Sequence, residues 1–262
     1  MTRSPSKYIR SVSKPAVASS PRAPDWLRIF VVVGMLWGAI SLLASIIFEP
    51  TPHNFTLFTA IICSGLYTVL LYRLRSYWLP KLQAKPLRNA ALLGIFNAAI
   101  VETIFWLAEK IFGAQGVAAH PNLLLDLLLT LPWYIGLILL FVRTQDRQRF
   151  SPWVLLLLAG VYELAADGII GGQLMPLILG ESVDLLQSWF FLILLAFWQF
   201  IPTYSSLLLP PAWVVESLPP VENRKRTHPV RDAVMPLLWM LPYFVFLILA
   251  MYAILMIGNP SA

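Results

Sequence analysis

Residues 152–180 read PWVLLLLAGVYELAADGIIGGQLMPLILG. The run is apolar enough to cross a bilayer, so the two acids inside it, Glu163 and Asp167, are costly there unless they have a partner or a task. Their i, i+4 spacing puts both on one face of a helix, with Gly160 about one turn below on nearly the same face. Outward from this stretch the chain has the same character. Apolar runs recur at 29–48, 55–72, 90–107, 123–142, 152–170, 185–207 and 233–257. Each has about the 18 to 25 residues that a hydrocarbon core of ~30 Å requires. Each is expected to be helical, because a lipid-exposed backbone must satisfy its hydrogen bonds within its own segment.

Composition agrees. Of the 262 residues 58% are hydrophobic and 12% charged, against about a quarter charged in soluble proteins. The expected fold class is all-α, a polytopic integral membrane protein with seven transmembrane helices. The connecting segments set its orientation, since Lys and Arg collect on the cytoplasmic side. Of the 19 basic residues, all but Lys110 fall in the N-terminal region up to Arg28 or in alternate loops. Those loops carry Arg73, Arg75, Lys81, Lys85 and Arg88, then Arg143, Arg147 and Arg149, then Arg224, Lys225, Arg226 and Arg231. This places the N-terminus inside and the C-terminus outside. Residues 1–25 read as a disordered basic cytoplasmic tail, 26–258 as a single seven-helix membrane domain and 259–262 as a short outer tail. A bacterial or archaeal plasma membrane is the expected location, an organelle membrane the alternative.

The net charge of +6 is thereby topogenic and implies no nucleic acid. The cluster Arg224, Lys225 and Arg226, beside prolines in the loop before the last span, fits an anionic lipid surface. The single cysteine, Cys63, allows neither an intrachain disulfide nor a cysteine zinc site. His53, His120 and His228 all read as loop residues, which disfavours an axial-histidine haem or a histidine-rich zinc centre within the bundle. The last span has no lysine for a retinal Schiff base, and no phosphate-binding glycine motif occurs. Asp126 and Asp167 lack the glycine context of an aspartyl intramembrane protease. No internal repeat is visible.

The acids in the spans carry the functional expectation. At ~1.5 Å per residue from the middle of each run, Glu163 lies ~3 Å outward of the midplane, Glu102 ~5 Å, Asp167 ~9 Å and Asp126 ~10 Å. Glu102 shares its face with Glu109, seven residues on. Consecutive antiparallel helices often pack together, so these carboxylates are expected to converge on one pocket opening outward, with no Lys or Arg at their depth. Asn97, Gln187 and Tyr162 could complete its polar wall, although buried amides more often tie helices together. Carboxylates held close and away from water call for a proton or a cation. The expected activity is therefore transport-related, with Glu163 central, Asp167 and Glu102 coupled to it and Asp126 met first on the way in. No cofactor is expected beyond a divalent cation. The alternatives are a lipid-acting membrane enzyme using carboxylate or divalent-metal chemistry, and a non-catalytic subunit or assembly factor of a membrane complex. Pro132, Pro202, Pro236 and Pro242 fall within spans and favour kinks.

Overall fold

A computed structural model describes residues 24–166, 168–169, 190, 192–218 and 228–258. Asp167, Gln187, Arg224, Lys225, Arg226 and the segment 173–180 lie outside the described residues. Among the described residues the chain is all-helical, with no strand.

The helices are α1 (Asp25–Phe48), α2 (Pro52–Arg73), the short α3 (Arg75–Trp78), α4 (Pro86–Phe112), α5 (Leu123–Gln148), α6 (Pro152–Glu163), α7 (Phe197–Gln199), α8 (Ile201–Glu216), α9 (Pro229–Val234) and α10 (Met240–Gly258). Proline occupies the first or second position of α2, α4, α6, α8 and α9, where its missing N–H has no intrahelical partner to lose. Thr51 caps α2 by accepting the Asn54 N–H at 3.2 Å. Asn122 caps α5 by accepting from Leu124 and Leu125. The helix α4 stops at Gly113, which takes the left-handed conformation at φ 70°.

Five helical segments are long and apolar enough to cross a membrane, namely Asp25–Phe48, Pro52–Arg73, Pro86–Phe112, Leu123–Gln148 and Pro229–Ala250. A sixth forms if Leu192–Gln199 and Ile201–Glu216 count as one span, bent by 51°. The chain is thus a multi-pass membrane protein by the length and apolarity of its helices. The expected span at 152–170 is a shorter apolar helix over Pro152–Ala166. It loses α-helical hydrogen bonding after Glu163 and turns π-helical at residues 164–166, a type of turn common at functional sites.

The expected span at 185–207 carries a bend beside Pro202 and has a different end. Its described part is π-helical over Leu192–Ala196, breaks at Phe200 and runs on to Glu216. Pro202, second residue of α8, supplies no N–H to the turn before it, so nothing holds the two halves collinear.

The helix α8 sits among α2, α4 and α6, and α4 packs between α2 and α5. Large apolar side chains cover the outside, with Ile29, Ile40, Leu66, Phe96, Leu128 and Leu241 all exposed. Asn97, Gln145, Asp126 and Glu163 are buried. That inversion suits a protein whose solvent is hydrocarbon. Close approach supplies much of the attraction between membrane helices, because lipid tails are as apolar as leucine. In α1, Gly34 and Gly38 lie one turn apart against Trp198. A Cβ on Gly34 would come 2.0 Å from the Trp198 ring, and one on Gly38 2.6 Å from its carbonyl oxygen. The same contact is fastened by Trp37 donating to the Leu194 carbonyl at 2.7 Å and Gln199 donating to Ser41 at 3.0 Å. The glycine pair therefore lets α1 hold the bent span.

Candidate functional site

A cavity of about 550 Å³ lies at the end of the bundle where the α4–α5 loop closes over it. Residues 116–119 of that loop, His53 from the first turn of α2, Glu102 and Phe105 of α4, Thr130, Trp133 and Tyr134 of α5, Thr203 of α8 and Tyr243 of α10 all line it. The i, i+3 and i, i+4 spacings of Glu102 with Phe105 and of Thr130 with Trp133 and Tyr134 aim each group from one helix face.

Glu102 is half-buried and its Oε1 accepts the Tyr134 hydroxyl at 2.5 Å. A hydroxyl on a carboxylate forms one of the stronger hydrogen bonds available and fixes the carboxyl's orientation. Opposite, the Thr203 Oγ1 is buried and has no hydrogen-bond partner among the described residues. It lies just past the break at Phe200, and the bend of the span brings this residue to the cavity wall. Phe105, Trp133, Tyr134, Phe200 and Tyr243 bring aromatic rings to the wall, beside aliphatic side chains such as Leu57, Leu129 and Leu247. Phe105 stacks on Phe200 at 6.3 Å, and Trp133 meets Tyr243 at 5.5 Å. The Trp133 indole donates to the Tyr204 hydroxyl at 3.3 Å, which pins its ring.

The loop over the cavity is held by two other acids. Glu109 Oε2 accepts the backbone N–H groups of Val117 and Ala118 at 2.9 and 2.8 Å, and Lys110 lies 3.6 Å from its Oε1. Asp126, fully buried, accepts the His120 N–H at 3.3 Å on Oδ1. His120 in turn accepts the Asn122 N–H on Nδ1 at 2.9 Å. Two carboxylates on adjacent helices thus satisfy backbone donors of a loop that would otherwise be left without partners.

Of the four acids singled out from the sequence, the structure puts Glu102 on the cavity wall and Asp126 beneath its closing loop. Glu163 is buried at the end of α6 and does not line the cavity. Asp167 lies outside the described residues, next to Ala166, which does line it. Among the described residues no three His, Cys, Asp or Glu side chains come together as a metal site. Asn97 and Tyr162 are also not wall residues. Asn97 accepts the Tyr67 hydroxyl at 2.8 Å and donates to the Ser206 carbonyl at 2.9 Å, tying α2, α4 and α8. Tyr162 donates to the Ala233 carbonyl at 2.8 Å.

Sequence reasoning missed His53, Tyr134 and Thr203. His53 was expected in a loop, yet α2 begins at Pro52 and turns it onto the cavity. The Thr51-Pro52 pair, a cap followed by a proline, carries the signal for that early start. Tyr134 stands among the many aromatics of an apolar span and had nothing to set it apart. Comparison with known proteins returned nothing: no family model, no curated protein and no solved structure matches this chain.

Proposed function

We propose that this multi-pass membrane protein is transport-related and takes a small organic cation into the cavity beside Glu102. The observation that carries the reading is one carboxylate, oriented by Tyr134, on the wall of a hollow of about 550 Å³ that five aromatic residues help to line. A volume of this size suits a small organic molecule. Ring faces attract ammonium groups, more strongly where water is excluded. A carboxylate then supplies the counter-charge, and Thr203 stands in the wall with a hydroxyl that has no hydrogen-bond partner among the described residues. In the topology that the basic loops imply, the α4–α5 loop is on the outer side, so the cavity would load from outside.

Phenyltrimethylammonium and its uncharged isostere tert-butylbenzene form the test. The full chain in detergent is expected to bind the ammonium compound at least tenfold more tightly, followed by quenching of tryptophan fluorescence, and Glu102→Gln is expected to erase the difference. Vesicles containing the chain are expected to take up the labelled ammonium compound faster than empty ones. Equal binding of the two isosteres would sink the proposal.

A further inference from the structure

At the opposite end of the same two helices lies a second hollow of about 560 Å³. Its floor is apolar, built from Ala91, Leu92 and Ile95 of α4 and Leu139 and Val142 of α5. Its rim carries Arg88, Arg143 and Arg147. The helices run antiparallel, so the first turns of α4 and the last turns of α5 meet at one level. Arg143 and Arg147 are i, i+4 on one face, and Arg88 reaches the rim from across the groove. All three are exposed, and none makes an ion pair with another described residue. The one acid in the lining, Asp146, is engaged by Arg149 at 3.7 Å. Asp232 of α9 lies close enough to feel the charge of Arg147, and Arg88 and Arg143 keep the rim positive, directly above an apolar channel whose Leu92 and Leu139 are exposed.

We infer that this groove is a binding site for one anionic phospholipid, its phosphate held by Arg88, Arg143 and Arg147 and an acyl chain lying along Leu92, Ile95 and Leu139. Charge and shape both favour that occupant. Three cations at one level need an anion, and basic pockets between membrane helices on the cytoplasmic side suit lipid phosphates. An inorganic ion would leave the apolar floor uncovered, and a zwitterionic lipid would bring its own cation to a rim already positive. The site stands apart from the Glu102 cavity and does not depend on what fills it. It also differs from the Arg224, Lys225 and Arg226 cluster expected from the sequence to meet anionic lipid.

Spin-labelled phosphatidylglycerol and phosphatidylcholine in vesicles of phosphatidylcholine, with the full chain reconstituted, supply the test. Electron paramagnetic resonance is expected to show phosphatidylglycerol immobilised beside the wild-type protein in preference to phosphatidylcholine. One substitution, Arg143→Gln, is expected to weaken that preference about fivefold, and the triple replacement Arg88→Gln, Arg143→Gln, Arg147→Gln on the order of a hundredfold. Leu139→Trp, which fills the apolar floor and keeps every charge, is expected to release the lipid as well. Arg28→Gln, on α1, is expected to change nothing. Equal immobilisation of the two lipids by the wild type would overturn the site, as would an undiminished preference in the triple variant. Full displacement of the spin-labelled lipid by millimolar inorganic phosphate would reduce it to an ion site and overturn it too.

Discussion

The two ends of α5 treat polar side chains in opposite ways. At its C-terminal end they are tied to one another across helices. Gln148 donates to Asp232 Oδ2 at 2.7 Å, and Thr144 donates to the Asp232 carbonyl at 3.1 Å. Gln145 and Phe150 exchange two hydrogen bonds across the α5–α6 turn. Arg149, in the left-handed conformation at φ 51°, donates to the Val215 carbonyl. At its N-terminal end the polar groups stand around a hollow, with Glu102, Tyr134, Thr130 and Thr203 on its wall and Asp126 and Glu109 holding its cover. Removing a member of a closed network leaves buried partners unsatisfied and costs stability. A group that faces a hollow can be changed with little cost to the fold. Polar residues near the two ends of one helix thus fasten the bundle at one end and line a hollow at the other.

Asp232→Ala is expected to have the largest effect on stability, a loss of about 2–3 kcal/mol, because a charge-assisted hydrogen bond goes and the Gln148 amide is left buried without its acceptor. Thermal unfolding in detergent measures it, and the affinity of the far cavity is expected to stay within twofold. Asn97→Leu comes next at about 1–2 kcal/mol, near the upper end for hydrogen bonds between membrane helices, since it breaks ties to both α2 and α8. Smaller in stability are Glu102→Gln, at about 1 kcal/mol because the Tyr134 hydroxyl keeps an acceptor but loses its charge, and Thr203→Val, within about 0.5 kcal/mol because a buried hydroxyl without a partner gives way to a methyl. The former is nonetheless expected to bring ammonium binding down to that of the uncharged isostere, and the latter to weaken it a few-fold. If Glu102→Gln destabilised the protein as much as Asp232→Ala, the contrast between the two ends would collapse and Glu102 would be one more fastener.

Much of this was open to reading in the primary structure, with its limits set by particular residues. The apolar runs at 29–48, 55–72, 90–107 and 123–142 correspond to four long helices, because sheer apolarity over some twenty residues leaves the backbone no other way to satisfy itself. Pro202 marked the run at 185–207 for a kink, but not for the size of the bend or for a helix that runs on to Glu216, since proline is tolerated in membrane helices with or without a kink. Gly34 and Gly38 spell the small-xxx-small spacing of a close contact, but only their packing tells that Trp198 fills it. Gln145, Gln148 and Asp232 sit near charged loop residues, and nothing in their spacing along the chain tells that Gln148 bonds to Asp232 across helices.

The acids of residues 152–180 show where the division falls. Hydropathy, a sum over neighbours in the chain, determined that these helices belong in a bilayer and that Glu163, Glu102 and Asp126 are buried in or near it. Depth along a helix also follows from counting residues. Whether two acids at similar depth meet depends on the rotation of each helix about its axis, and that is decided by contacts between helices. Tertiary packing therefore turned Glu102 onto a cavity and Asp126 beneath the loop that covers it. The same packing set Asn97 between three helices and gathered Arg88, Arg143 and Arg147 around one groove.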